Sequence, residues 1–137
     1  NYINFSKSEI EKLQKVYVAG YPFGKGLSDD LKVSSGIISS NKGFEDNSNE
    51  FQLDAPINPG NSGGPIVNDT GELVGIAVAG FAKDKSEGIN FGIKSSTART
   101  FLNTNKVKPG NSYMTFAMNN KKLLNLLEES TVYTFCN

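Results

Sequence analysis

Six short β-rich runs separated by turn residues constrain this chain more than any other feature. Val16–Ala19, Val33–Ser39, Phe51–Leu53, Ile66–Val67, Leu73–Ala79 and Ile89–Ile93 lie between clusters of Gly, Pro, Asn and Asp. Short strands at such spacing predict a small antiparallel sandwich or barrel. With 137 residues the chain holds one domain at most, with a modest core. Two helices are expected late in the sequence. One spans Thr97–Asn105 behind a serine cap at Ser95 or Ser96. The other spans Asn119–Glu129, where Leu123, Leu124, Leu126 and Leu127 make an apolar face. Ser6 and Glu9 have capping-box spacing, which predicts one helical turn over Ser6–Leu13. A terminal strand is expected over Thr131–Cys136.

Between the third and fourth runs lies Asn58-Pro59-Gly60-Asn61-Ser62-Gly63-Gly64-Pro65. Glycine tolerates positive φ and close approach of a ligand to the backbone. A serine on such a turn exposes its hydroxyl, and neighbouring N–H groups can face a developing oxyanion. That is the layout of an acyl-transfer nucleophile. The same residues are also ordinary turn formers, so the motif alone leaves both readings open. A second fact opposes the first: the chain has no histidine, the usual acceptor of the serine proton.

Asp54 through Val78 resembles the serine region of trypsin-like serine proteases, most closely the HtrA/Deg branch. Other segments agree, in order. Val16-Tyr17-Val18-Ala19-Gly20-Tyr21-Pro22-Phe23-Gly24 is similar to the family's strand and Asn-Pro-Phe-Gly turn, with Tyr21 in place of Asn. Val33-Ser34-Ser35-Gly36-Ile37-Ile38-Ser39 and Gly88-Ile89-Asn90-Phe91-Gly92-Ile93 resemble two further family strands, and Ser96-Thr97-Ala98-Arg99 opens the next helix. The resemblance covers about residues 10–106. It implies an antiparallel six-stranded β-barrel, the second of the two barrels of such a protease, with short C-terminal helices. Residues 1–15 are then a stub from a first barrel, 16–106 the barrel with its closing helix, and 107–137 an extension with Pro109-Gly110-Asn111 at its start. The triad histidine and aspartate would sit on the first barrel, which accounts for their absence here. The alternative is a degenerate, non-catalytic relative that binds peptides.

The resemblance also implies roles. Ser62 is the nucleophile, the N–H groups of Gly60 and Ser62 form the oxyanion hole, and Asn61 shapes the turn. Ile57, Phe81 and Ile89 match positions lining the specificity pocket, which predicts a small aliphatic side chain before the scissile bond. Val78, Ala79 and Gly80 form the edge that pairs with an extended substrate. Ile57, Phe81 and Ile89 read equally as core residues. Asp54 falls at a structural position rather than a triad one.

Fourteen acidic and fourteen basic residues balance, which gives no argument for nucleic acid or a charged surface partner. Neither a His/Cys cluster nor a carboxylate spacing points to a metal, and no cofactor is implied. The longest apolar stretch, Leu73–Phe81, is too short to span a bilayer. The single cysteine, Cys136, has no internal partner for a disulfide. The chain opens on Asn1, so its start is not expected to be a native one, and the lack of a signal peptide says nothing about compartment. A cell-envelope or secreted location is suggested by the resemblance alone. The expected partners are protein or peptide substrates and a first barrel of the same natural chain. An apolar seam facing that barrel is expected to be hidden by self-association, by the stub, or by docking of the leucine-rich helix. For the tail two readings stand: a layer over the barrel, or a docking element for another chain.

Overall fold

The computed structural model describes residues 2–22, 29–78, 89–112 and 116–134. Six strands form: β1 (Lys15–Gly20), β2 (Lys32–Ser40), β3 (Glu50–Leu53), β4 (Pro65–Asn68), β5 (Leu73–Val78) and β6 (Asn90–Lys94). They are antiparallel and close into a barrel in the order β1-β2-β3-β6-β5-β4. Closure is made by β1 against β4, with Tyr17 opposite Val67 and Val18 opposite Ile66. The register shifts once between β2 and β3 and once between β4 and β5, irregularities that add the bend a small barrel requires. All six strand runs expected from the sequence are present, with ends moved by a residue or so.

Two-residue periodicity sorts the side chains. Val16 and Val18 of β1 point into the barrel with Ile38, Phe51, Leu53, Ile66 and Val74. Tyr17 and Ala19 of β1 point outward, as does Val67 of β4. Phe51 fills the barrel centre. A Cβ on Gly75 or Gly92 would come within 2.4 Å and 2.7 Å of the Phe51 ring, so these two positions give up side-chain volume to admit it. Burying each such large apolar side chain contributes about 1.5–3 kcal/mol.

The helices are α1 (Ser95–Thr104) and α2 (Asn120–Ser130). α1 lacks the expected serine cap: Ser95 and Ser96 lie inside it, and Lys94 is the capping residue with no side-chain bond. The cause is continuity. β6 runs straight into α1, and the Lys94 N–H is already held by the Asn49 carbonyl. α2 is capped by Asn119, whose side chain accepts from the Lys122 N–H at 2.9 Å. Its Leu123 and Leu127, one turn apart, are buried on Ala19 and Val67, the outward faces of β1 and β4. Leu126 is half-buried, but Leu124 is 43% exposed. The expectation that all four leucines pack inward therefore fails at Leu124, which points about 100° away from Leu123 around the helix.

The helical turn expected over Ser6–Leu13 does not form. Phe5 bridges Leu73 and Asn111, and the Ser6 N–H donates to the Leu73 carbonyl. The Ser6 hydroxyl accepts from Ser8 two residues on, and Leu13 has φ +70°, outside helical space. Pairing with the barrel thus overrode a weak local signal. Gly110 and Asn111 take part in this pairing, and Arg99 bonds the Ser6 carbonyl and Asn111 while covering the Phe5 ring. Residues 131–134 form no strand, in contrast to the terminal strand expected there; the rest of that run, with Cys136, lies outside the described residues.

Candidate active site

β3 and β4 stand on opposite sides of the ring, each separated from the other by two strands in either direction. The chain between them, residues 54–64, must cross one end of the barrel. That crossing contains the serine turn. It begins with Asp54, whose carboxylate accepts from the Ile37 N–H of β2 at 2.7 Å. Asp54 is thus a structural anchor.

The turn itself is built by alternating hydrogen bonds. Asn61 N–H donates to the Asn58 carbonyl, Gly63 N–H to Ala77 of β5, and Gly64 N–H to Asn61. Among the described residues, the N–H groups of Gly60 and Ser62 donate to no acceptor. Gly60 has φ +96° and Gly63 φ +83°, the left-handed region that favours glycine. A Cβ on Gly60 would lie 2.5 Å from Pro22, so the close contact with the β1 exit also demands glycine. Asn61 is buried beside Gly20, and its Oδ1 has no hydrogen-bond partner among the described residues. Ser62, between them, is exposed.

Ser62, Gly60 and Gly63 line a cavity of about 380 Å³. Its other walls come from Gly20 and Tyr21 after β1 and from residues 130–134 after α2. Among the described residues, no carboxylate, amine or imidazole lines it. A larger cavity of about 610 Å³ lies elsewhere, between residues 6–10 and the start of α1. Its described lining includes the expected helix-start residues Ser6, Glu9, Ser95 and Ser96 but none of the candidate catalytic or substrate-binding residues, whereas the smaller cavity holds Ser62 and Gly60.

The remaining sequence-predicted residues are dispersed. Ile57 is half-buried against the barrel core, Val78 pairs with Phe91, and Ile89 is 38% exposed. None of the three lines either cavity. Ala79, Gly80 and Phe81 lie outside the described residues. Sequence reasoning did not find the wall made by 130–134. Its only local signal was Tyr21, which departs from the resembled turn and whose hydroxyl donates to the Thr131 carbonyl. Among the described residues no group of His, Cys, Asp and Glu is placed to hold a metal. No helix there is long and apolar enough to cross a membrane.

The closed antiparallel six-stranded barrel with its two helices matches part of the fold of trypsin-like proteases. The family model of the trypsin-like peptidase domain matches residues 1–76, more than half of the chain. This chain belongs to that family. It is 39% identical over 100 residues to the serine protease Do-like HtrA of Bacillus subtilis, covering 67% of this chain and 22% of that protein. It is 44% identical over 82 residues to the periplasmic pH-dependent serine endoprotease DegQ of Escherichia coli, covering 59% and 18%. The crystal structure of a serine endoprotease from Yersinia pestis superposes with a TM-score of 0.60 at 35% identity, covering 75% of this chain and 34% of that one. The chain therefore spans about a fifth of the length of these curated relatives.

Proposed function

We propose that this chain is the serine-bearing half of a serine endopeptidase acting on extended or unfolded protein substrates. The observation that carries the reading is the pair of unengaged N–H groups, Gly60 and Ser62, flanking an exposed serine hydroxyl. In this mechanism Ser62 Oγ attacks the scissile carbonyl and its proton passes to a base outside this chain. The two N–H groups donate to the oxyanion; losing one such donor costs about 10²–10³ in turnover. The amine then leaves with the proton, and water releases the acyl group from Ser62. A histidine and an aspartate on a preceding barrel of the natural protein complete the triad. The specificity pocket at Ile57, Phe81 and Ile89 and the substrate-pairing edge at Val78–Gly80 belong to the same proposal.

The experiment is labelling of the natural full-length protein with a fluorophosphonate probe. Labelling that disappears in Ser62→Ala is expected. Absence of labelling, or labelling that survives Ser62→Ala, overturns the assignment of the nucleophile.

A second reading is favoured by one observation: neither the cleft nor the rest of the chain holds an imidazole. On that reading the protein presents the same groove as a non-catalytic peptide-binding module. It would bind extended peptides and remain unlabelled.

A further inference from the structure

The C-terminal segment after α2 faces the serine turn across the cavity, although it lies outside the region of family resemblance. Its course is set by the helix. Leu123 and Leu127 bury α2 on β1 and β4, and the Thr131 N–H caps the helix by donating to the Leu127 carbonyl. Tyr21 then ties the segment to the exit of β1. Its hydroxyl donates to the Thr131 carbonyl at 3.5 Å, and its ring meets Tyr133 edge to face at 6.5 Å.

This wall carries hydroxyls that the fold leaves unused. Thr131 is 8% exposed, and its Oγ1 has no hydrogen-bond partner among the described residues. The hydroxyl of the adjacent Ser130 is equally shielded and equally without a partner among them. A buried hydroxyl with no partner is costly, and natural folds pair most of them. Both residues border the cavity that Ser62 borders. Both oxygens are shielded in the structure, so contact with an occupant requires the Thr131 hydroxyl to turn about χ1 towards the cavity.

We propose that Ser130, Thr131 and Tyr133 form a substrate-binding wall of the Ser62 cleft, with Thr131 as a peptide-recognition residue. The occupant is an extended, uncharged peptide segment. Its backbone amides supply the missing partner to the Thr131 hydroxyl, and its side chains lie against the Tyr133 ring. Among the described residues, the wall and the rest of the cavity lining carry no charged group that would pair with an acidic or basic side chain. Charged residues entering here would lose water without gaining a partner, so they are disfavoured. The inference rests on the proposal that the cleft receives extended peptide.

The test measures binding rather than turnover. The natural full-length protein carrying Ser62→Ala is titrated into fluorescein-labelled, unfolded casein and followed by anisotropy. Adding Thr131→Val is expected to weaken binding about fivefold, and Thr131→Ser to restore it. Adding Tyr133→Ala is expected to weaken it by at least as much. Thr131→Val removes a hydroxyl that bonds nothing in the fold, so the melting temperature should hold or rise. Unchanged binding in both variants overturns the proposal. Tighter binding in Tyr133→Ala also overturns it, because the segment would then be a plug rather than a wall. No binding of casein by any version overturns it too. Fluorophosphonate labelling of the protein with native Ser62 separates the two ideas. Labelling with binding indifferent to Thr131 and Tyr133 leaves the peptidase reading standing and this one fallen; sensitive binding without labelling does the reverse.

Discussion

Asp54 and Ile37 hold each other by two hydrogen bonds. The Asp54 carboxylate accepts from the Ile37 N–H at 2.7 Å, and the Asp54 N–H donates to the Ile37 carbonyl at 3.2 Å. The pair fastens the start of the segment that crosses the barrel end and carries Ser62. Asp54→Ala should cost about 1–2 kcal/mol, the scale of a hydrogen bond to a charged group on a partly exposed site. Asp54→Asn should recover part of it, since an amide oxygen still accepts. Urea unfolding of the two variants measures the difference; equal stability of all three proteins would remove Asp54 from this role.

The three glycines of the serine turn should differ in tolerance, each for its own reason. Gly63 has φ +83° but open space around its missing Cβ, so Gly63→Ala should cost only about 1–2 kcal/mol of backbone strain. Gly60 combines φ +96° with the wall of Pro22, and a Cβ on Gly64 would lie 2.2 Å from the Ala19 carbonyl oxygen. Alanine at either position forces backbone to move and should destabilise by roughly 2–4 kcal/mol, with strain and overpacking adding. Thermal melts of the three variants give the order, and a Gly63→Ala protein less stable than the other two contradicts it.

Leu127 and Leu124 are neighbours on α2 with opposite fates. Leu127 is 1% exposed on the outside of the barrel, and Leu124 faces solvent. Leu127→Ala should lose about 2–5 kcal/mol and loosen α2 from β1 and β4. Leu124→Ala should stay within about 0.5 kcal/mol of the parent. Amide hydrogen exchange along α2, read with equilibrium unfolding, checks both. A costly Leu124→Ala would mean that this face is covered in solution.

The 137-residue chain by itself should hydrolyse casein at a negligible rate. Serine is a weak nucleophile at neutral pH without a base, and removal of the histidine from a triad costs about 10⁶ in turnover. Casein hydrolysis by the isolated chain at ordinary enzymatic rates, abolished by Ser62→Ala, would show that the chain holds its own base.

Some of this protein was written in local pattern. The alternation Val16-Tyr17-Val18-Ala19 fixes which β1 side chains enter the barrel and which face out, because the strand period is two. The serine turn was equally plain, since Asn, Pro and Gly act through their own φ preferences. Asn119 was already included at the head of the leucine-rich helix. Local pattern misled where long-range pairing competed. Ser6 and Glu9 spell a helix start, yet the Ser6 N–H is taken by Leu73, sixty-seven residues away in sequence, by the difference of their numbers. The serine caps expected before α1 failed because β6 leaves no room for a cap.

What the sequence determined by itself was therefore the set of strands, the turn that exposes Ser62 and the apolar stripe of α2, each a property of residues close along the chain. The tertiary structure decided the rest. Barrel closure chose the outward faces of Ala19 and Val67 as the bed for Leu123 and Leu127, because only the closed ring brings β1 and β4 together. That docking in turn delivered Thr131 and Tyr133 to the cleft of Ser62. No periodicity or turn preference encodes such a contact; it follows from where a helix can bury its stripe once the barrel has formed.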